Sequence, residues 1–504
     1  MQEQEAHWAR KDCLNNMHYG VQLYGCSKEF RRNTPEFFNK MRHVGILQIE
    51  PCVLFDDPEA FRAQAPQDQK RLADDLWKPW EIPVFKKQME GLGLSLSSVH
   101  VFASSLTDAL PGMVQYAEDV EAYVVNTPEW AVTEPDKFAA ELTEAAGVLE
   151  RTGTQLWLHN SGKDSLVKRD YEGKPVPLYL YILKRSEKVF AQVDTGWIIA
   201  GGNDPADFIK ENAPIIKGVH FKDMDKNFRE KSGDEVFAVL GEGCVDIQGV
   251  LGAIPDGIPL VIDQDMSRGD FIKDLEKSAR ALYAAAMPGI KCVIFDVDGT
   301  LLDSMPMWYS LASDYAELKG IRLPDDAAQK MNSMSMTQCA EFYRQCGAAG
   351  TADDILLEII GLAKLKYRES IEEVPGACRF LKALRANGIH IALATASHVG
   401  ALTPALERTG MMEYIDLALC CEDIGASKEH PDIFIRCAEE FGAEPWECAV
   451  VEDSLYSAKT AKNAGFRIIG INDECHSPED RAKLREISDM YIYDYNGLVG
   501  ELNP

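Results

Sequence analysis

The sequence predicts a two-domain α/β protein: a (β/α)8 TIM barrel over residues 1–287, and a Rossmann-like open parallel sheet with a helical insertion over residues 288–504. Three observations support this prediction. The chain has 504 residues, more than one ordinary hydrophobic core serves. Apolar runs alternate with helical stretches eight times between residues 17 and 285. An apolar run at 292–295 then leads into Asp296 and Asp298, and further strand and helix patterns follow.

The barrel prediction depends on eight strand candidates: YGVQLY, ILQIEPC, LSSVHVF, AYVVNTP, TQLWLHN, VFAQVDTGW, KGVHFKD and PLVIDQD. Helical stretches such as KFAAELTEAAGVLERTG separate them. Eight parallel strands within roughly 250 residues favour a closed barrel over an open doubly wound sheet. Polar residues collect at the C-terminal strand ends, where a barrel has its active site. They are Glu50, His100, Asn126, His159, Asn160, Asp194, His220, Lys222, Asp223, Asp263, Gln264 and Asp265.

In the second domain, chemically active side chains also follow apolar strands. After Asp296 and Asp298, the strand IHIALATAS ends in Thr395 and Ser397, Lys428 precedes a helix, and AVVEDS ends in Glu452 and Asp453. An open parallel sheet binds its ligands at these strand ends.

The residue types indicate phosphoryl transfer. A carboxylate such as Asp296 can attack phosphorus and form an aspartyl-phosphate. Mg²⁺ binds one or two carboxylates and the phosphate, so Asp296, Asp453 and the carbonyl of Asp298 are the expected metal ligands. Asp298 can protonate the leaving oxygen and then deprotonate water. Thr395 can donate to a phosphoryl oxygen, and Lys428 can balance the negative charge.

These motifs carry a resemblance to a known family. DVDGTLLD, Thr395, Lys428 and EDS resemble the four motifs of the haloacid dehalogenase superfamily, in its β-phosphoglucomutase-like phosphatase group, over about residues 290–500. The resemblance implies a Rossmann-like core at 288–305 and 374–504, and a helical cap at 306–373 that closes over a sugar phosphate. It also implies substrate contacts from Gly299, Thr300, Ser304, Ser397 and Glu452.

One position separates phosphatases from mutases in this group. β-Phosphoglucomutases carry a cap histidine five residues after the Asp-Gly-[Thr/Val]-x-x-Asp run, where this chain has Trp308. The departure favours hydrolysis over phosphate transfer between sugar carbons.

The barrel resembles the sugar phosphate isomerase/epimerase (xylose isomerase-like) family through LHNSG, VDTGWIIAGGNDPADFI, GVHFKDMD, LGEGCVDIQGVL and LVIDQD. The resemblance implies a divalent metal, Mn²⁺, Zn²⁺ or Fe²⁺, held by Asp194, His220 and Asp263. Of these three residues, Asp263 stands where the family usually has Glu. His159 and Lys222 would contact the substrate. In HNSGKD the family's second His and its Glu are missing. Whether four protein ligands are present is therefore an open question. Glu50 and His100 are either acid–base groups or ordinary strand-end residues.

We therefore expect Asp194, His220 and Asp263 to converge on one cation, with His159 close by. If Lys222 or an apolar side chain fills that space, the domain is not a metal-dependent isomerase. The leading hypothesis is a bifunctional carbohydrate enzyme. The alternatives are a phosphatase with a non-catalytic barrel, and a sugar phosphomutase.

Composition limits the possible partners. The net charge of −28 argues against nucleic-acid binding, including the metal-dependent endonucleases of the same barrel superfamily. No run reaches the ~18 apolar residues of a membrane span, and the N-terminus has no apolar signal core, so we expect a cytoplasmic protein. The thirteen cysteines are expected to be buried and reduced. The sequence is compatible with a homo-oligomer.

Overall fold

The computed structural model describes residues 19–25, 30, 34–43, 46–64, 75–255, 257–265, 267, 269–287, 289–324, 327 and 336–499. The chain divides into two compact units, Met1–Pro288 and Gly289–Pro504. None of the helices in the described residues has the length and apolar character needed to span a lipid bilayer. Only five of the described cysteines are buried, so the expectation of buried thiols is only partly met.

The N-terminal unit contains alternating strands and helices. Its strands are β1 (Tyr19–Gln22), β2 (Gln48–Glu50), β3 (Cys52–Leu54), β4 (Ser95–Leu96), β5 (Val99–Phe102), β6 (Ala122–Asn126), β7 (Gln155–His159), β8 (Lys168–Tyr171), β9 (Lys174–Pro177), β10 (Val189–Asp194), β11 (Ile216–Phe221), β12 (Asp223–Met224), β13 (Phe237–Ala238) and β14 (Leu260–Ile262). Its α-helices are α1 (Thr34–His43), α2 (Pro58–Gln64), α3 (Ile82–Glu90), α4 (Leu106–Gln115), α5 (Pro135–Glu150), α6 (Gly162–Leu166), α7 (Leu178–Arg185), α8 (Thr195–Ala200), α9 (Pro205–Asn212), α10 (Ile247–Leu251) and α11 (Phe271–Ala286).

Helix α5, one of the two longest helices of this unit, shows why the amphipathic pattern folds as it does. Helix α5 begins with Pro135, whose fixed φ suits the first helical position, and Asp136 lies favourably in its first turn. Phe138, Leu142 and Leu149 recur at helical spacing and are buried. Removing such a side chain, as in Leu142→Ala, costs about 2–5 kcal/mol of stability.

One parallel sheet organises this unit, in the order β3-β5-β6-β7-β10-β11-β14-β1-β2-β4. The chain changes partner at Pro51, so that β2 pairs with β1 and β3 pairs with β5. Proline lacks the N–H that a continuous ladder would need at this position. The unit was predicted to be a closed (β/α)8 barrel; a parallel sheet of half-barrel form is present, and its completion as a barrel stays a prediction.

The C-terminal unit is an α/β domain of Rossmann type, as predicted. Its strands are β15 (Cys292–Phe295), β16 (His390–Thr395), β17 (Leu417–Cys420), β18 (Cys448–Glu452), β19 (Arg467–Ile471) and β20 (Met490–Ile492), in the parallel order β17-β16-β15-β18-β19-β20. Its α-helices are α12 (Met305–Lys319), α13 (Met336–Gln345), α14 (Ala352–Glu369), α15 (Ala377–Ala386), α16 (Val399–Arg408), α17 (Cys421–Ile424), α18 (Asp432–Glu440), α19 (Leu455–Asn463), α20 (Pro478–Ile487) and α21 (Asn496–Val499). Strand β15 lies between β16 and β18, so the residues after these three strands are neighbours.

Helices α12–α14 form the helical insertion between β15 and the rest of the sheet. The two chain segments that lead into and out of it pair with each other. The Asp303 N–H donates to the Glu372 carbonyl at 3.0 Å, and the Val374 N–H donates to the Leu301 carbonyl at 2.9 Å. The insertion therefore leaves and rejoins the core at one place.

Candidate active sites

The C-terminal site is built around Asp296, the first residue after β15. Asp296 as a whole is 7% exposed, and its carboxylate forms an ion pair with the ammonium group of Lys428. The same ammonium group lies 2.7 Å from Oε1 of Glu452, which ends β18. Burial raises the pKa of the Asp296 carboxyl to about 7, against the opposing effect of Lys428. A buried carboxylate beside a lysine ammonium group is a candidate nucleophile toward an anionic substrate.

A second carboxylate, Asp453, lies beside the first. Asp296, Glu452 and Asp453 each offer an oxygen, and the three oxygens lie within 4.8 Å of one another. Burial raises the pKa of Asp453 to about 6, although its hydrogen bond with His476 opposes the rise. The His476 Nε2 atom lies 2.9 Å from Asp453 Oδ2.

The three acids fit a bound Mg²⁺. The Lys428 ammonium group pairs with only two of the three buried carboxyl groups, and the pKa values of all three are raised, mainly by burial. A divalent cation would supply the missing positive charge, and Mg²⁺ prefers such oxygen ligands. Asp296 and Asp453 are the side chains that would hold it.

Gly299 is required by the close approach of two acids. Its φ is +79°, and a Cβ atom at this residue would lie 2.4 Å from Asp453 Oδ2 and 2.8 Å from Asp473 Oδ2. Asp473 follows β19 and was not among the predicted site residues, although it ends the quoted strand pattern RIIGIND. Thr300 is fully buried, and its hydroxyl donates to Asp453 at 3.4 Å. This contact makes Thr300 a partner of the acid cluster.

Asp298, two residues after Asp296, accepts three side-chain hydrogen bonds. The hydroxyls of Ser304 and Ser397 each donate to it at 2.6 Å, and the Tyr367 hydroxyl is the third donor. Thr395 is buried at the end of β16, and its hydroxyl accepts a 3.0 Å hydrogen bond from the Ser397 N–H. The predicted residues Ser304, Ser397 and Thr395 thus lie around Asp298 and the end of β16.

Trp308 also joins this network. Its indole N–H donates to the Tyr367 hydroxyl at 2.9 Å. Neither Tyr367 nor His476 was predicted, because each lies in a segment with no strand-end or motif signal.

The N-terminal unit brings four predicted residues together. His159, Asp194, His220 and Asp263 are buried, and one ligand atom of each lies within 4.8 Å of the others. The His220 Nδ1 atom lies 3.2 Å from His159 Nε2 and 3.1 Å from Asp263 Oδ2. His159 Nε2 lies 3.7 Å from Asp194 Oδ2. Atoms about 2.0–2.2 Å from a tetrahedral metal ion are roughly 3.3–3.6 Å apart, so this spacing fits one ion.

Outer contacts orient the two imidazole rings. The Nδ1 atom of His159 lies 3.2 Å from Oδ1 of Asn126, and the Nε2 atom of His220 lies 3.0 Å from Oε1 of Glu50. Metal-binding histidines usually have such a partner for the second ring nitrogen. Glu50 is itself fully buried and also accepts a 2.6 Å hydrogen bond from Gln192. His100 Nδ1 lies 3.2 Å from Glu50, so both residues belong to the support of the site.

Lys222 lies in the same space. Its ammonium group is 3.0 Å from Asp263 Oδ2, 3.4 Å from Asp194 Oδ2 and 2.7 Å from Asp265 Oδ2. Burial would lower its pKa, but Asp263 and Asp265 hold that pKa well above the usual range, so the group is charged. A lysine side chain between the predicted metal ligands is evidence against a metal-dependent isomerase.

Two other strand-end residues have structural roles instead. The Asp223 carboxylate accepts hydrogen bonds from four backbone N–H groups of the 241–245 loop, each between 2.9 and 3.0 Å. Asn160 accepts from the Asp194 N–H at 2.7 Å and donates to the Asp194 carbonyl at 3.1 Å. Neither is among the four clustered residues.

Comparison with known proteins shows which family the C-terminal unit resembles. Residues 290–465 match the haloacid dehalogenase-like hydrolase family, which makes this unit a haloacid dehalogenase-like hydrolase domain. Hexitol phosphatase B of Escherichia coli K12 is 26% identical over 186 residues, 36% of this chain and 82% of its own length. Hexitol phosphatase A of the same organism is 27% identical over 216 residues, 42% of this chain and 95% of its own length.

Two further proteins are similar. The phosphorylated carbohydrates phosphatase of Thermotoga maritima is 25% identical over 199 residues, 39% of this chain and 91% of its own length. A solved structure of β-phosphoglucomutase from Clostridium difficile is 20% identical with a TM-score of 0.32, covering 42% of this chain and 93% of its own. The family match lies within the C-terminal unit, so the sugar isomerase resemblance of the N-terminal unit stays a prediction.

Proposed function

We propose that the C-terminal unit is a Mg²⁺-dependent phosphatase that acts on a sugar phosphate, or a similar small phosphomonoester, through an aspartyl-phosphate. The main observation in support of this proposal is the ion pair between Lys428 and the buried Asp296, with Asp453 beside it. The names of the similar curated phosphatases support the choice of a phosphorylated carbohydrate.

The residues act in two steps. In the first, a carboxylate oxygen of Asp296 bonds to phosphorus while the bond to the sugar oxygen breaks, and Asp298 gives its proton to that oxygen. In the second, water attacks phosphorus, Asp298 takes the proton of the water, and the bond between Asp296 and phosphorus breaks. Lys428 offsets the negative charge throughout. Mg²⁺ on Asp296, Asp453 and the Asp298 carbonyl would neutralise charge on the phosphate.

The test is phosphate release from a panel of hexitol and hexose phosphates in the presence of Mg²⁺. Asp296→Asn should lower turnover by several orders of magnitude, because an amide cannot be the attacking group. Asp353→Asn, which changes an exposed aspartate at the start of α14, is the control and should keep full activity. An Asp296→Asn variant with more than about a tenth of wild-type turnover would refute the assignment.

For the N-terminal unit we propose a closed (β/α)8 barrel, for whose site two proposals compete: a divalent-metal-dependent sugar isomerase or epimerase, and a non-catalytic domain in which the Lys222 ammonium group stands in place of the metal. The parallel pairing of β14 with β1, and of β1 with β2, supports closure. The spacing of His159, Asp194, His220 and Asp263 supports the metal. Asp194 Oδ2 and Asp263 Oδ1 are buried without a hydrogen-bond partner, and a cation would satisfy both.

Lys222 favours the competing proposal, a non-catalytic domain, because its ammonium group already offsets these carboxylates. Metal analysis of the full chain separates the two. The isomerase proposal predicts about one equivalent of Mn²⁺, Zn²⁺ or Fe²⁺ in the wild type and in the control Asp207→Asn, an exposed change, and a loss in Asp194→Asn. Equal metal content in all three proteins would exclude the isomerase site.

A further inference from the structure

Tyr367 links the helical insertion to the acid–base residue of the C-terminal site. It lies near the end of α14, within the insertion, and is fully buried. Its hydroxyl donates to Oδ1 of Asp298, the oxygen that Ser304 also contacts. Of the three hydroxyl donors to Asp298, Tyr367 is the one that a helix of the insertion supplies.

Trp308, on α12, fixes the direction of that hydrogen bond. The indole N–H can only donate, and it donates to the Tyr367 oxygen at 2.9 Å. The single hydroxyl proton of Tyr367 is then left to point at Asp298. Two helices of the insertion thus form a directed chain of hydrogen bonds, from Trp308 through Tyr367 to Asp298.

We propose that Tyr367 is a positioning residue that holds the Asp298 carboxyl group in place for proton transfer to the leaving oxygen. Trp308 orients the Tyr367 hydroxyl. The inference rests on the proposed phosphatase function and adds to it a requirement on the leaving group. Substrates whose leaving oxygen must be protonated depend on Tyr367, and substrates whose leaving group departs as a stable anion do not.

The test compares an alkyl phosphate, such as a hexitol phosphate, with p-nitrophenyl phosphate, whose leaving group needs no proton. The measured quantity is kcat/KM, which reports the steps up to loss of the leaving group. Tyr367→Phe should lower kcat/KM for the alkyl phosphate roughly ten- to a hundredfold, as expected for one hydrogen bond to a charged group. The value for p-nitrophenyl phosphate should change less than about threefold.

Tyr315→Phe is the matched control. Tyr315 is also a fully buried tyrosine of the insertion, but its hydroxyl donates to Glu358 at 2.6 Å. It should leave both values unchanged. Asp298→Asn sets the full size of the selective loss, and Trp308→Phe, which keeps Tyr367, should show a smaller loss of the same kind.

An equal fall for both substrates in Tyr367→Phe and Trp308→Phe would show a structural role and overturn the inference, as would no change in either variant. A wild-type enzyme inactive on every alkyl phosphate would instead refute the proposed function, and the inference with it.

Discussion

Replacing Lys428 with methionine should destabilise the C-terminal unit far more than the loss of exposed ion pairs of the same length would. Lys428 is 3% exposed, and its ammonium group pairs with Asp296 and Glu452. Methionine fills a similar volume but leaves the buried carboxylates without their cation. Removing one partner of a buried pair costs about 3–5 kcal/mol. For a unit of about 200 residues this corresponds to a fall in Tm of roughly 6–20 °C.

The pH dependence gives the prediction a second observable. The pKa of Asp296 is already raised to about 7, chiefly by burial, and Lys428 opposes that rise. Without Lys428 the carboxyl groups bind protons at still higher pH, and protonation removes their charge. The loss of stability should therefore be large at pH 8 and smaller at pH 5. Thermal unfolding in Mg²⁺-free buffer at both pH values measures it.

Lys483→Met is the control, because Lys483 pairs with Glu479 at 2.6 Å on the exposed surface of α20. Its ion pair is as short as that of Lys428 with Glu452, yet exposed pairs contribute only about 0–1 kcal/mol. If Lys428→Met lowers Tm at pH 8 no more than Lys483→Met does, burial is not what makes the Lys428 pair important, and the reasoning fails.

Three further predictions follow from the same structure. Since the pKa values of Asp296 and Asp453 are raised to about 7 and about 6, the metal-free unit should lose stability as pH rises from about 4 to about 7. The gain in Tm on adding Mg²⁺ should grow over that window, and a constant gain from pH 5 to pH 8 would contradict the assignment. With β-glucose 1-phosphate and a bisphosphate primer, phosphorus NMR should show free phosphate, because Trp308 stands where mutases have histidine; accumulating glucose 6-phosphate would reverse this. Asp223→Asn should destabilise the N-terminal unit by about 1–3 kcal/mol with unchanged metal content, since it holds a loop; lost metal would place it in the site.

The strands of both units could be predicted because buried parallel strands are short apolar runs that end in polar residues. The break at Pro51 could not, because it depends on which neighbour each half of the strand pairs with. Strand β20, at the edge of the second sheet, was also missed. The antiparallel pair β8 and β9 was also missed, since its strands are polar and largely exposed.

Some residues of the candidate sites could be predicted from the sequence, and others could not. Asp296, Thr395 and Glu452 end strands that lie side by side, so strand pattern alone brings them together. Tyr367 reaches Asp298 from a helix, and no spacing in the sequence fixes how that helix is turned relative to the sheet. The position of Lys222 after β11 was predicted. The orientation of its long side chain, which brings the ammonium group to Asp263 and Asp265, depends on the surrounding charges.

The pairing of residues 301–303 with 372–374 has a consequence for how this domain can be altered. Because the insertion starts and finishes at adjacent points, its length can change without stretching the sheet that carries Asp296. A designer could exchange helices α12–α14 for the corresponding segment of another phosphatase by joining it at these two chain segments. Asp296, Asp453 and Lys428 would then stay with the host, whereas the contact that Tyr367 makes with Asp298 would have to come from the graft.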